Sequence, residues 1–221
     1  NFQGKTRDVM TLAHELGHGV HQYLANKQGL LLADTPLTLA ETASVFGEML
    51  TFKSMLKNAK DKTEKIFLLR SKIEDMINTV FRQISFFIFE REIHSLRTKS
   101  ELSEDDISIE WIKSQKESLG KSILLTKEYD AFWAYIPHFI HSPFYVYAYA
   151  FGDCLVNSLY SKYEESPSGF NEKYLQLLKS GGSRDYKILL QTFGLNPKED
   201  NFWQMGMNLI KNLIDELKKI S

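Results

Sequence analysis

Apolar residues recur at spacings of three and four along most of this chain, and almost none of it alternates with period two. Val9, Leu12, Ala13, Leu16, Val20, Tyr23 and Leu24 mark a first amphipathic helix that ends near Asn26, with Thr6 or Asp8 as its cap. Pro36, after Asp34 or Thr35, suits the first turn of a second helix running to about Asn58. Lys62 to Leu96 continues as one long helical pattern, open to a break, and its Ile84 to Phe89 cluster reads either as core packing or as a contact with an absent half. Ser103 with Asp105 and Asp106 opens another helix that closes near Gly120. Leu124 to Ile140 is aromatic without a period. Further helices are expected at about Pro143 to Tyr163, Gly169 to Lys179, Arg184 to Phe193 and Lys198 to Ile220. Phe144 to Phe151 is apolar all round the helical wheel, which predicts burial. The expected class is mainly α, in a single domain over residues 1–221.

Composition narrows the function classes. With 221 residues, 43% of them hydrophobic, the chain can bury one sizeable core. A formal net charge of −1, with no Lys/Arg tract, gives nucleic-acid binding no support. The lone cysteine, Cys154, excludes an internal disulfide framework. The uncharged run from Ala131 to Gly152 is long enough to cross a bilayer. However, Pro137, His138, His141, Ser142 and Pro143 in its middle are too costly in lipid for a membrane span.

The chemistry is concentrated in His14-Glu15-Leu16-Gly17-His18, a HEXXH motif inside the first helix. One helical turn brings His14 and His18 onto the same face, roughly 6 Å apart at Cα, where two imidazoles can meet one zinc ion. Glu15 points about 100° away from His14, within reach of a coordinated water without being a ligand. A catalytic zinc takes three protein ligands and keeps one position open, so a third ligand must come from elsewhere. His21 lies about 10 Å from His14 along the helix, too far to share the ion. It reads as a group supporting the site or facing substrate.

The second helix carries Glu41 and Glu48 on one face, among Leu37, Leu39, Ala40, Val45, Phe46, Met49 and Leu50. Carboxylates in such surroundings are costly unless paired or metal-bound. A loop through Lys27 to Asp34 and a returning helix can bring Glu41 to the histidines, with Glu48 accepting the other N–H of a ligand imidazole. The competing reading leaves both as solvated surface acids.

His14-Glu-Leu-Gly-His18-Gly-Val-His21, followed by Glu41-Thr-Ala-Ser44-Val-Phe-Gly-Glu48, resembles the thimet oligopeptidase / oligoendopeptidase F family, and its bacterial oligoendopeptidase F branch most. So do Ile136-Pro-His138-Phe-Ile-His141-Ser-Pro-Phe-Tyr145-Val-Tyr147-Ala-Tyr149, then Leu178 to Ser183, Phe193-Gly194-Leu195 and Asn201-Phe-Trp203. The resemblance implies a zincin-type helical catalytic domain holding one Zn2+ through His14, His18 and Glu41. Glu15 would be the general base, with Ser44 and Glu48 supporting the ligands. It also implies oxyanion donors among His138, His141, Tyr145 and Tyr147, with His138 and Tyr147 favoured. The expected activity is zinc-dependent endopeptidase cleavage of short unfolded peptides, in the cytoplasm. The expected partners are peptide substrates and an absent N-terminal half of the same enzyme. Asn1 to Gly4 would be the stub of a strand preceding the metal helix, and the only strand. The alternative is a zinc-binding, catalytically weak fragment that serves as a peptide-binding half.

Overall fold

The computed structural model describes residues 2–221 and contains eleven α-helices, with no strand among the described residues. Two compact units are present. One comprises the residues up to Met76 together with Phe151–Ser221, and the other is Ile77–Ala150.

In the first unit, α1 (Thr6–Ala25) carries the HEXXH motif. Its start is organised by Asp8, whose carboxylate accepts the Gln3 and Lys5 backbone N–H groups at 2.7 and 3.1 Å. The expected strand stub is therefore absent over Phe2 to Gly4, because the Gln3 N–H is turned into this cap rather than outward to a neighbouring strand. Asn1, the first residue of that stub, lies outside the described residues. A second departure concerns the helix expected from Pro36. It is split into α2 (Leu37–Ala40) and α3 (Thr42–Lys57), with Glu41 at the junction in a non-helical conformation.

The α1–α3 contact is built on glycine. A Cβ on Gly17 would stand 2.5 Å from the Ala43 carbonyl oxygen and the Ser44 Cα, and one on Gly47 would stand 3.2 Å from the Ala13 carbonyl oxygen. Backbone meets backbone at both points, which holds the two helices at a separation no side chain permits. α4 (Lys62–Ile77) follows, and later α8 (Tyr147–Glu165), α9 (Phe170–Lys179), α10 (Tyr186–Gln191) and α11 (Asp200–Ile220). Phe46 of α3 stacks on Phe170 of α9 at 5.7 Å between ring centroids. On α11, Gly206 admits the Cys154 backbone of α8, so the lone cysteine is packed in the core. The loop returning from α1 is anchored by the segment after α9. There the Gly182 N–H donates to the Leu32 carbonyl at 2.8 Å, and Gly181, at a left-handed φ of 48°, lies against the same carbonyl.

The second unit contains α5 (Gln83–Arg97), α6 (Glu104–Leu119) and α7 (His138–His141). The long pattern predicted from Lys62 stays helical but passes through a π-helical turn at Asn78–Arg82. Such a turn admits one extra residue and shifts the phase of the apolar face. Phe86, Phe89, Trp111, Ile136 and Val146 form this unit's core. The helix expected from Pro143 starts only at Tyr147, because Phe144 adopts a left-handed φ of 59° that no helix accepts. The Phe144 N–H donates to the buried Glu90 carboxylate at 2.8 Å, which stabilises that turn. No helix of the described residues is long and apolar enough to cross a membrane.

Candidate metal centre and catalytic groups

His14 and His18, one turn apart on α1, face Glu41 across the glycine contact. His14 Nε2 and His18 Nε2 are 3.0 Å apart, and each lies 3.4 Å from Glu41 Oε2. Zinc bonds of about 2.0–2.2 Å at the tetrahedral angle separate neighbouring donor atoms by about 3.3–3.6 Å. The observed triangle matches two of these edges and is slightly short on the third. Two imidazoles and a carboxylate are also a donor set that catalytic zinc uses. His14, His18 and Glu41 form the one group of this kind among the described residues.

The orientation of each donor has a local cause. Glu41 sits at the α2–α3 break, so its side chain leaves the chain where the helix has been interrupted rather than from a regular helical face. The Ser44 hydroxyl donates to Glu41 Oε2 at 2.7 Å and lies 3.1 Å from the Glu41 carbonyl, while Gly152 on α8 would place a Cβ 3.3 Å from Glu41 Cβ. The Tyr174 hydroxyl donates to the Thr42 carbonyl at 3.0 Å, fixing the turn just beyond. On the far side of His14, Nδ1–H donates to Glu48 Oε1 at 2.6 Å. A carboxylate only accepts, so this bond makes Nδ1 the donor and turns the Nε2 lone pair toward His18 and Glu41. Three electron-pair donors so close repel one another unless a proton or a metal ion lies between them.

The electrostatics follow from these contacts. The Glu48 hydrogen bond raises the His14 pKa above the ordinary imidazole value, against the effect of burial. Burial pushes Glu48 upward, but its bond to His14 and the charge of Lys72 outweigh that and hold it below the usual carboxylate range. Glu15, next to His14, is solvent-exposed. His21 is buried, with Nε2 3.5 Å from the Thr35 hydroxyl. Burial, with a smaller effect of His18, pushes its pKa down to about 4, so it is neutral at pH 7.

The remaining predicted residues lie in the second unit. His138 Nε2 is 3.2 Å from the Tyr149 hydroxyl, and the His138 ring stacks on Tyr145 at 5.8 Å. Tyr145 and Tyr149 meet edge to face at 5.3 Å. Tyr147, favoured from the sequence, packs edge-on against Phe87, and His141 is exposed at the end of α7. Tyr149 has no role assigned by the motifs, and neither do two other residues. Gly47 supports the helix contact, and Lys72 places its ammonium 3.3 Å from Glu48 Oε2. A signal for Lys72 was present, since it lies on the α4 face that carries Leu68, Leu69, Ile73 and Met76.

The sequence pattern of peptidase family M3 matches residues 1–209. The chain belongs to peptidase family M3. Among curated M3-type relatives, the chromosomal oligoendopeptidase F of Lactococcus lactis subsp. cremoris is 30% identical over the whole chain, and the chain covers 37% of it. An oligoendopeptidase F homolog of Borreliella burgdorferi is 32% identical over 97% of the chain, which covers 36% of that protein. The chain thus spans little more than a third of the length of these relatives. A crystal structure from Chlamydophila abortus superposes with a TM-score of 0.89 at 34% identity, covering all of this chain and 37% of that one. Oligoendopeptidase-F from Enterococcus faecium gives 0.83 at 26% identity, covering 97% and 39%. The mainly α fold expected from the sequence is the fold of these neighbours.

Proposed function

We propose that the chain is the catalytic part of a zinc-dependent oligoendopeptidase acting on short unfolded peptides, and that both units belong to one catalytic domain. The observation that carries the reading is the convergence of His14 Nε2, His18 Nε2 and Glu41 Oε2 at 3.0–3.4 Å on a HEXXH helix. These three residues would hold one zinc ion, which supplies Lewis acidity and lowers the pKa of a coordinated water toward about 7.

The chain's own residues carry the remaining steps. Glu15, exposed beside His14, takes the proton of the attacking water and returns it to the leaving amine. Glu48 fixes the His14 tautomer, and Ser44 holds the Glu41 carboxylate in place. The sequence resemblance, rather than any distance, assigns His138, His141, Tyr145 and Tyr147 as candidate donors to the oxyanion. Each working donor of this kind is typically worth about 3–4 kcal/mol of barrier. Of the four, His138 and Tyr145 gain support from being in ring contact with each other. A cytoplasmic location and the longer relatives' missing portion as partner belong to the same proposal.

Zinc analysis of the purified protein, together with cleavage of a fluorogenic peptide of about eight residues, tests it. The expected result is about one zinc per chain and turnover that Glu15→Gln abolishes while zinc content stays the same. Absence of zinc would refute the reading. The second reading, a zinc-binding but catalytically weak part, is favoured by the chain covering only 37% of its relative. It predicts full zinc occupancy with negligible turnover.

A further inference from the structure

Lys72 is buried at 5% exposure on α4, far from any role that the motif assigns. A buried ammonium is costly unless it is paired, so its partners show what it is there for. The ion pairs are to Glu48 Oε2 at 3.3 Å and, toward solvent, to Asp75 Oδ2 at 3.7 Å, while its charge also acts on the buried Asp153. The other Glu48 oxygen accepts from His14 Nδ1 at 2.6 Å. A single carboxylate therefore joins a metal-directed imidazole to a buried cation. Glu48 has three rotatable side-chain bonds, and one hydrogen bond at one oxygen leaves the carboxylate free to swing about it. Lys72 supplies the second anchor, on the opposite oxygen, from a different helix. The anchor is itself buried, on the helix face that carries Leu68, Leu69, Ile73 and Met76, and burial limits its freedom to move.

We propose that Lys72 is a positioning residue of the metal centre: acting through Glu48, it holds the His14 imidazole in the orientation that presents Nε2 to the metal. The inference rests on the zinc reading above but adds a residue outside the HEXXH and Glu41 segments. It differs from a merely structural ion pair in one respect, namely that its effect on metal binding must pass through Glu48.

The test is a double-mutant cycle on the intact protein, read by zinc affinity in chelator competition and by the visible spectrum of the cobalt-substituted form. Lys72→Met and Glu48→Gln are each expected to weaken zinc binding about ten- to a hundredfold and to alter the cobalt bands. Lys72→Met added to Glu48→Gln is expected to cost less than about threefold more, because the path is already cut. Zinc affinity of Lys72→Met within about threefold of the parent would overturn the proposal. Losses that multiply in the double variant would overturn it as well. Should Lys72→Met fail to fold, Lys72→Gln takes its place in the same cycle. It keeps a donor, shortens its reach and removes the charge. A parent protein that binds no zinc would remove the peptidase reading and this one together, whereas a zinc-binding parent with an indifferent Lys72 would remove this one alone.

Discussion

Asp153 and His21 are buried titratable groups whose effects on stability run in opposite directions. Burial raises the Asp153 pKa to about 6, with Lys72 and the Asn157 hydrogen bond opposing it. Between pH of about 4 and 6 the folded state therefore binds more protons at Asp153 than the unfolded chain does, and stability falls as pH rises. Above that window the penalty is constant, at about 3 kcal/mol for a shift of roughly two units. His21, lowered to about 4, does the reverse, because stability is lost as pH falls from about 6.5 through that value. The two slopes largely offset each other over the same window. Asp153→Asn keeps an oxygen acceptor for Asn157 Nδ2 and removes one slope. Its melting temperature should rise above the parent's at pH 8, with little gain at pH 4, and its acid sensitivity should be steeper. Equal shifts at both pH values would exclude this account. At this scale the sequence shows which groups ionise. It does not show which are buried, because burial depends on neighbours remote along the chain, such as Lys72 and Asp153.

At the scale of elements, the α1–α3 contact decides whether His14 and His18 meet Glu41. Gly17 and Gly19 cost the isolated helix about the same, roughly 1 kcal/mol each relative to alanine. Their surroundings differ completely. A Cβ on Gly17 would collide with the backbone at Ala43 and Ser44, whereas nothing lies within 4 Å of one on Gly19. Gly17→Ala is expected to destabilise the protein by about 1–3 kcal/mol and to weaken zinc binding as the helices are forced apart. Gly19→Ala is expected to be neutral or to stabilise by up to about 1 kcal/mol. Thermal melts and zinc titrations of the pair check both; a Gly17→Ala protein that behaves like Gly19→Ala would show that the close approach is not needed. The first helix and its HEXXH motif were legible because three- and four-residue spacing reports a helix face directly. The break at Glu41 and the left-handed Phe144 were not. Leu37 to Leu50 carries no glycine or proline at the break, and the turn at Phe144 is stabilised by Glu90, 54 residues away.

For the whole molecule, zinc should act as a cross-link between α1 and the α2–α3 junction. A ligand bound only by the folded state stabilises it by about 4 kcal/mol when present at a thousand times its dissociation constant. Chelation is therefore expected to lower the melting temperature by several degrees, zinc to restore it, and Glu41→Gln to blunt the response. A melting curve indifferent to chelator would argue against the site. The single domain expected over residues 1–221 corresponds in the structure to two compact units. The hydrophobic pattern is equally helical in both and does not distinguish them.

By itself, the sequence determined that the chain is helical, that α1 carries the two histidines of a HEXXH motif one turn apart, and that Glu48 lies in a helical segment seven residues beyond Glu41. Each of these depends on residues within a few turns of one another. Only the tertiary structure decided that the strand stub is a cap, that Glu41 sits at a break, that His138 pairs with Tyr145 and Tyr149 while Tyr147 packs on Phe87, and that Lys72 supports Glu48. These features rest on close approach and burial between chain segments. Helical periodicity reports which side of a helix faces inward, and carries no information on what that side meets there.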